Sequence, residues 1–331
     1  MRLLVTGADG FVGQHVLTAL LARRHEVVGC IGGHVPTLTT LAKEDGDRVD
    51  WRTLELTDPT STREAILGAG AEGRLDGLLH LAAASSVSRS WGDPGTMFAV
   101  NVTGALHLLA ALRELPDGAR PEAVVLVGSG EAYGRSGTEE KPLTEDTPLR
   151  PINPYGASKA AQEMIGWAPG RLEGVRIAMT RSFTQTGPGQ SATFVAADWA
   201  SQLLAIRAGA RPPVLEVGDV EVVRDFLDVR DAADAYVALL EAPEAAGAFN
   251  VCSGRGVTLE ALLEGLRRAV GVDVEVRVDP ARLRPADIRS LVGDPGRIRV
   301  ATGWRPRREL QQTLRDLVAF LEQRGAARGA P

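Results

Sequence analysis

The chain has 331 residues, a length at which one large α/β domain with a smaller lobe is common. Hydrophobic residues make up 44% and charged residues 24%, near the averages for globular proteins, so disordered and collagen-like chains are excluded. The formal net charge is −5 and the basic residues are dispersed, which argues against nucleic acid as a partner. Cys30 and Cys252 lie in separate apolar runs, which favours buried free thiols and a cytoplasmic location. We expect no signal peptide, no membrane span and no metal site.

Short apolar runs alternate with helical patterns through the first half of the chain. The sequence predicts strands over residues 3–6, 26–30, 51–54, 77–81, 123–127 and 175–180. It predicts helices over residues 12–23, 97–112 and Pro154–Trp167, the last with Asn153 as its N-cap. Because near-continuous apolar strands that alternate with helices form parallel sheets covered on both faces, we expect an α/β fold with a doubly wound sheet of the Rossmann type.

A glycine-rich turn follows the first predicted strand and opens the first predicted helix. Its pattern is Gly-x-x-Gly-x-x-Gly, with glycines at positions 7, 10 and 13. Such glycines let the backbone approach a pyrophosphate, and the helix N-terminus supplies amide donors. The sequence therefore predicts a dinucleotide site formed by Gly7, Asp9, Gly10, Phe11, Val12 and Gly13.

The end of the second strand usually distinguishes NAD(H) from NADP(H), through an acidic or a basic residue respectively. Here it reads Cys-Ile-Gly-Gly-His over residues 30–34, with neither marker. The missing acid tilts the prediction slightly to NADP(H), although His34 is a poor substitute for arginine. Glu55 and Asp58, after the third strand, are equally compatible with an adenine contact and with a solvated loop.

Three residues carry the predicted chemistry. Tyr155 and Lys159 lie four residues apart near a helix start and so share one face. An unperturbed tyrosine pKa is about 10, and a nearby ammonium is a reasonable means of lowering the pKa of Tyr155. Ser129 leaves the carboxyl end of a predicted parallel strand, where open α/β sheets bind ligands, and its hydroxyl could bond the reacting oxygen.

The alternation loosens after about residue 182, where proline and glycine interrupt residues 187–190 and 211–213. We expect residues 1–182 to form the dinucleotide-binding domain, rejoined by about residues 224–245. Residues 183–323 would form mainly a substrate lobe, and residues 324–331 a flexible tail.

These features together resemble the extended short-chain dehydrogenase/reductases over nearly the whole chain. The resemblance includes the glycine turn, His80-Leu-Ala-Ala83, Asn101, the serine turn and the Tyr-x-x-x-Lys helix. The segments 180–191, 223–229, 283–287 and 302–306 most resemble the GDP-mannose branch, in particular its GDP-4-keto-6-deoxy-D-mannose reductases, which form GDP-D-rhamnose. The resemblance implies an NAD(P)-dependent nucleotide-sugar oxidoreductase.

The resemblance also implies roles for matching residues. Catalysis is assigned to Ser129, Tyr155 and Lys159, with Glu131 beside them, and Tyr155 and Lys159 would also contact the cofactor. Further cofactor contacts would come from Glu55, Leu56, Leu81, Ala82 and Ala83. The substrate would contact Ser85, Ser129, Glu131, Tyr155, Thr184, Val195, Arg224, Arg284 and Asp287. The arginines suit the diphosphate and Asp287 the nucleotide ribose. Relatives commonly have asparagine where this chain has Thr184, which leaves the sugar open.

Several activities are compatible with these residues. A 4-keto reductase would use Tyr155 to protonate O4, whereas a 4,6-dehydratase would also need a carboxylate, and Glu131 lies where that residue belongs. Residues 31–41 lack the arginine-rich loop of GDP-mannose dehydratases, and Gly130 replaces a hydroxyl residue of theirs, which favours the reductase. A sugar-nucleotide epimerase and a non-catalytic dinucleotide sensor remain alternatives.

The family resemblance further implies a homodimer in which two long helices pair across a twofold axis. Those helices would be residues 97–112 and Pro154–Trp167, with Phe98, Leu106, Met164 and Ile165 as candidate contacts. The same residues are almost equally compatible with the core of a single chain.

Overall fold

The computed structural model describes residues 1–136, 141–167, 174–282 and 288–329. The strands are β1 (Arg2–Thr6), β2 (Glu26–Ile31), β3 (Asp50–Thr53), β4 (Gly77–His80), β5 (Ala123–Ser129), β6 (Arg176–Ser182), β7 (Thr184–Thr186), β8 (Val214–Val217), β9 (Val223–Asp228), β10 (Gly247–Val251), β11 (Gly256–Thr258), β12 (Glu275–Val278) and β13 (Ser290–Leu291). The helices are α1 (Phe11–Ala22), α2 (Lys43–Gly46), α3 (Pro59–Glu72), α4 (Val87–Ser90), α5 (Pro94–Phe98), α6 (Gly104–Glu114), α7 (Pro154–Trp167), α8 (Val195–Arg207), α9 (Val229–Glu241), α10 (Leu259–Val270), α11 (Gly296–Thr302) and α12 (Leu310–Gly329).

Seven parallel strands form the main sheet, in the order β10-β6-β5-β4-β1-β2-β3. One apolar cluster covers one face of the sheet and includes Leu17 of α1 and Val237 of α9. A second cluster covers the other face and includes Ile66 of α3 and Leu108 of α6. The sheet is therefore doubly wound, and the predicted α/β Rossmann-type fold is confirmed.

A second sheet contains β11, β9 and β13, with β7 also paired to β9. The segment expected to rejoin the first domain begins with β9 and α9, which belong to different layers. β9 lies in the second sheet, whereas α9 packs on α1 and β10 joins the main sheet beside β6. Asp228 ends β9 and accepts a 2.8 Å hydrogen bond from the Arg230 amide as the N-cap of α9, so the chain changes layer within one turn.

The chain remains helical to Gly329, past residue 323, where we expect a flexible tail to begin. Arginine, alanine and glutamine are good helix formers, which explains the extension of α12. Residues 330 and 331 lie outside the described residues.

The predicted helix over 97–112 consists of α5, a π-helical segment (Ala99–Thr103) and α6. By length and composition, Pro94–Glu114 is apolar enough to cross a membrane, although the core helices of soluble proteins pass the same test. Leu108 and Leu112 of this run pack in the second apolar cluster against α3, as core residues do.

Candidate active site at the switch point of the main sheet

Three predicted parts of the site, the glycine turn, residues 81–83 and Ser129, lie at the carboxyl ends of three neighbouring strands. β1 is followed by Gly7, β4 by residues 81–83, and β5 ends at Ser129. β4 lies between β1 and β5 in the sheet, and the chain order reverses there. Ligands of open α/β sheets bind at such a switch point.

The glycine turn is shaped for close approach. Gly7 has φ +66°, and a Cβ on it would lie 2.9 Å from the Ala82 backbone, so a side chain is excluded there. A Cβ on Gly13 would lie 2.2 Å from the Gly7 carbonyl, which explains why the helix packs so tightly on the turn. Gly10 is exposed and precedes α1, whose N-terminus has no side-chain cap. The turn therefore fits a dinucleotide pyrophosphate, which α1 would bind through its first amides.

Just after β2, a contact between His34 and Asp9 of the glycine turn stands in place of the usual acid or base. The Asp9 carboxylate contacts His34 Nε2 at 2.8 Å and accepts a hydrogen bond from the Thr37 amide. Asp58 caps α3 by accepting a 2.9 Å bond from the Thr60 amide, so its observed role is structural. Glu55 is exposed beside Thr57, whereas Leu56 is buried and its carbonyl accepts a bond from His107.

Ser129, Tyr155 and Lys159 converge from β5 and α7. Asn153 caps α7 through a 2.7 Å bond from the Gly156 amide to its Oδ1, which confirms the predicted N-cap and fixes Tyr155 in the first turn. The Tyr155 phenol lies beside the Ser129 hydroxyl, which favours a lower pKa of the phenol. Ser129 Oγ also accepts a 3.2 Å bond from the Glu131 amide. A proton donor and a hydroxyl partner are thus held together at the edge of the sheet.

The expected lowering of the Tyr155 pKa is wrong for this structure. Burial raises the pKa of Tyr155 to about 12; the Ser129 hydroxyl opposes this rise, and the Glu131 carboxylate adds to it. The phenol is therefore protonated at neutral pH. The i, i+4 spacing places Lys159 on the same helix face but does not set where its ammonium points.

Lys159 is 3% exposed and directs its ammonium to uncharged acceptors. Its Nζ donates 2.8 Å to the Val127 carbonyl and 2.9 Å to Gln162 Oε1. Burial without a carboxylate partner lowers the pKa of Lys159 to about 7. His80, at the end of β4, shares a 2.8 Å hydrogen bond with Thr6 through Nδ1, and burial lowers its pKa to about 3, so its imidazole is neutral.

Asn101 joins the segment after β4 to α7. Its Oδ1 accepts from the Ala84 amide at 2.9 Å, and its Nδ2 donates to the Ala84 carbonyl and to Ser158 Oγ. Asn101 lies in the π-helical segment, a geometry often found at functional sites. Leu81, Ala82 and Ala83 are half-buried before this junction, and Ser85 is exposed after it.

Glu131 is engaged by an amide. Its Oε2 accepts a 2.9 Å bond from Asn153 Nδ2, so Asn153 both caps α7 and holds the carboxylate. Asn153 was predicted as a cap alone. Its contact with Glu131 spans 22 residues and has no signal in local spacing.

Three other predicted substrate residues lie on the second sheet and α8: Thr184, Val195 and Arg224. Thr184 is in β7, paired with Phe226 of β9. Val195 begins α8, which has no side-chain cap at its N-terminus. Arg224 Nη1 donates 2.7 Å to the Ile288 carbonyl, which directly follows the segment that holds Arg284 and Asp287. Arg284 and Asp287 themselves lie outside the described residues.

A cavity of about 470 Å³ lies elsewhere, between α10 and the start of α12. Arg255, Thr258, Arg268 and Arg308 line it, together with Phe226, and none of the three catalytic candidates does. We base the site on the strand ends because the glycine turn, the tyrosine and the lysine all lie there. Within the described residues, no group of three or more histidine, cysteine and carboxylate side chains is placed to hold a metal ion.

Sequence reasoning missed Gln162 and the pairing of His80. Gln162 lies three residues after Lys159, and a buried polar residue on the inner face of a predicted helix is a signal that could have identified it. The Thr6–His80 contact crosses from β1 to β4 and becomes visible only once the strand order is known.

Comparison with known proteins agrees with this geometry. The family model for GDP-mannose 4,6 dehydratase matches residues 4–317. The chain is 35% identical to GDP-6-deoxy-D-mannose reductase of Pseudomonas aeruginosa over 98% of both chains.

Solved structures show the same relationship. RMD from Pseudomonas aeruginosa complexed with NADPH matches with TM-score 0.80 and 32% identity, covering 98% of this chain and 99% of that one. The Thermus thermophilus UDP-glucose 4-epimerase complex with NAD matches with TM-score 0.83 and 32% identity over the whole of both chains. The resemblance seen in the motifs is confirmed: the chain belongs to the GDP-mannose 4,6 dehydratase family of NAD(P)-dependent nucleotide-sugar enzymes.

Proposed function

We propose that this protein uses NADPH or NADH to reduce the C4 ketone of GDP-4-keto-6-deoxy-D-mannose, forming GDP-D-rhamnose. The observation that carries the choice of reductase is the 35% identity to a GDP-6-deoxy-D-mannose reductase over 98% of both chains, and the Tyr155 phenol beside Ser129 is a suitable proton donor. Reduction needs a group that gives a proton to O4, whereas oxidation of C4 needs one that removes it. The same identity also supports the substrate class.

The residues at the switch point suit the cofactor. In the proposed complex, Gly7, Gly10 and the start of α1 hold the pyrophosphate, and residues 81–83 line the path towards the catalytic pair. The contact between Asp9 and His34 lies just after β2, where the adenosine ribose of a dinucleotide is read. When bound, the reduced nicotinamide would supply the hydride.

The protein's own groups then handle the proton. Tyr155 gives its proton to the sugar O4, and Ser129 donates a hydrogen bond to the same oxygen as charge develops there. With a cofactor bound, the third N–H of the Lys159 ammonium would hold the nicotinamide ribose. Arg224, Arg284 and the N-terminus of α8 would hold the diphosphate, and Asp287 the nucleotide ribose.

Two related activities make different demands on the same site. A 4,6-dehydratase needs a carboxylate that is free to remove the C5 proton, whereas Glu131 Oε2 already accepts a 2.9 Å bond from Asn153. An epimerase is favoured by one observation, the full-length similarity to UDP-glucose 4-epimerase. A dinucleotide sensor would need neither Tyr155 nor Ser129 in this arrangement.

A substrate panel separates these activities. The purified protein would be mixed in separate reactions with enzymatically prepared GDP-4-keto-6-deoxymannose, GDP-mannose and UDP-glucose, each with NADPH and with NADH, and the products identified by NMR. We expect a GDP-6-deoxyhexose reduced at C4, with one reduced cofactor consumed per product. Conversion of GDP-mannose to a 4-keto product, or of UDP-glucose to UDP-galactose, without net cofactor consumption would overturn the reductase proposal.

We also propose a homodimer formed by Pro94–Glu114 and α7. Phe98, Leu106 and Met164 are exposed there, by 38%, 49% and 53%, although Ile165 packs into the core of its own chain. Met164→Glu should halve the mass measured by sedimentation. Val300→Glu, at an exposed valine on α11, is the matched control and should leave the mass unchanged.

Two further expectations remain proposals. Residues 1–182 would form the cofactor domain and residues 183–323 mainly the substrate lobe, with α9 and β10 packed on the cofactor domain. The location would be cytoplasmic, which the buried free thiols Cys30 and Cys252 support.

A further inference from the structure

An amide side chain holds the catalytic lysine candidate. Gln162 lies three residues after Lys159 on α7, so the two side chains share one face of the helix. Gln162 Oε1 accepts a 2.9 Å hydrogen bond from Lys159 Nζ, and the Val127 carbonyl of β5 accepts another at 2.8 Å. Gln162 is 1% exposed and Lys159 is 3% exposed, so water does not compete for either bond.

The surroundings of Lys159 are electrically neutral. Within the part of the chain that the structure describes, no carboxylate pairs with its ammonium, and its pKa is lowered by burial alone. The titratable groups beside it are Tyr155 on the same helix, whose pKa is raised to about 12, and His80 from β4, whose pKa is lowered to about 3. Both are uncharged at neutral pH. The Gln162 carbonyl dipole is therefore one of two groups that favour the charged form of Lys159.

Gln162 also carries a structural penalty. Its Nε2 is buried and, among the described residues, has no hydrogen-bond partner. An unpaired buried amide destabilises a fold, and methionine or leucine of similar size would avoid this. A glutamine at position 162 is therefore explained by the hydrogen bond that its Oε1 accepts from Lys159, and not by packing.

We propose that Gln162 is a positioning residue for the reduction: its amide oxygen holds the Lys159 ammonium beside the end of β5, one helical turn from Tyr155. An ammonium has three donors, and the bonds to Val127 and Gln162 use two of them, which leaves the third for the reacting side of the site. Because Oε1 accepts from the charged form only, it also helps Lys159 to keep its proton. The catalytic part of this inference rests on the proposed function, whereas the electrostatic part concerns the protein alone.

The electrostatic part can be measured without cofactor or substrate. The chain has three lysines, Lys43, Lys141 and Lys159, so ε-¹³C-lysine NMR gives few signals, and Lys159→Met assigns the third. The titration midpoint of Lys159 should fall by about one pH unit in Gln162→Met and rise by at least as much in Gln162→Glu. Gln202→Met, at a buried glutamine on α8, is the control and should not move the midpoint.

The catalytic part is measured by the pH dependence of kcat for ketone reduction. Reduction needs protonated Lys159, so the alkaline fall in kcat should move to lower pH in Gln162→Met and to higher pH in Gln162→Glu, following the NMR midpoints. A structural role would lower activity in both variants without opposite shifts. Unmoved NMR midpoints in both variants would overturn the inference, and so would shifted midpoints that the kcat profile does not follow. If the wild type reduces nothing, the proposed function fails instead, while the NMR result still decides the contact between Gln162 and Lys159.

Discussion

Two buried cations at α7 have different kinds of partner. Arg181 is paired with a carboxylate, whereas Lys159 donates only to uncharged acceptors. The Arg181 guanidinium, which is 6% exposed, forms a two-point ion pair with Glu163, with distances of 2.7 and 2.9 Å. It also donates to the Tyr133 hydroxyl and to the Glu145 carbonyl. Lys159, four residues before Glu163 on the same helix, donates to a backbone carbonyl and an amide.

The difference separates a structural cation from a reactive one. Arg181 joins β6 to α7 and to the turn after Ser129, and its charge is neutralised by Glu163. Lys159 has no such partner among the described residues, and its pKa is lowered to about 7. A buried group with a perturbed pKa in a ligand cleft is a candidate functional group. α7 thus stabilises the fold where Glu163 pairs with Arg181, and destabilises it where Lys159 is buried without a carboxylate partner.

The largest expected effect on stability comes from removing Arg181 from its ion pair. Arg181→Met leaves the Glu163 carboxylate buried without its partner, so the free energy of unfolding should fall by about 3–5 kcal/mol. Urea denaturation measures this loss in the free energy of unfolding. A loss below about 1 kcal/mol would show that Arg181 is not a stabilising cross-link.

Replacing Lys159 by methionine should change the free energy of unfolding in the opposite direction. Lys159→Met removes a buried charge without stranding a carboxylate, so the free energy of unfolding at pH 7 should rise by about 1–3 kcal/mol. Turnover should fall by about 10²-fold or more, since the nicotinamide ribose loses the ammonium that would position it. Urea denaturation and steady-state assays on one preparation test both halves, and a destabilised Lys159→Met protein would contradict the comparison.

Replacing both members of the ion pair should cost less than breaking it. Arg181→Met combined with Glu163→Leu removes the stranded carboxylate, so the loss of unfolding free energy should shrink to about 1–2 kcal/mol. A double variant as unstable as Arg181→Met alone would mean that the Tyr133 and Glu145 contacts of Arg181 carry the stability.

The smallest expected effect is a change in the free energy of unfolding with pH. Between pH 7 and about 10.5, the unfolded chain binds a proton at Lys159 that the folded chain does not, so this residue makes stability rise with pH. The slope is at most about 1.4 kcal/mol per pH unit. The stability difference between Lys159→Met and the wild type should therefore narrow from pH 7 to pH 10. A constant difference would show that the pKa of Lys159 is not lowered.

Much of the site could be predicted from sequence because its parts are local. The glycine turn follows β1 directly, Ser129 is the last residue of β5, and Tyr155 and Lys159 are one helical turn apart. Each depends on the periodicity of a single element, and the parallel sheet then brings the elements together.

The remaining contacts depend on side chains from distant segments. Asp225 is fully buried and accepts hydrogen bonds from the backbone of Ser253, Gly254 and Gly293, which ties β9 to loops far along the chain. The direction of the Lys159 ammonium likewise depends on Val127 of β5. Helical spacing predicted the face of α7 that carries Lys159 but not this direction, and the predicted lowering of the Tyr155 pKa was wrong because burial raises that pKa.

The central claim is that Tyr155 gives its proton to a sugar ketone as hydride arrives. Single-turnover absorbance of the reduced nicotinamide tests it most directly, with excess protein mixed with NADPH or NADH and GDP-4-keto-6-deoxymannose. We expect loss of one reduced cofactor per substrate in the wild type, and a rate at least 10²-fold lower in Tyr155→Phe with cofactor binding retained. Loss of absorbance at the same rate in both proteins would contradict the role of Tyr155, and no loss with either cofactor would contradict the reductase.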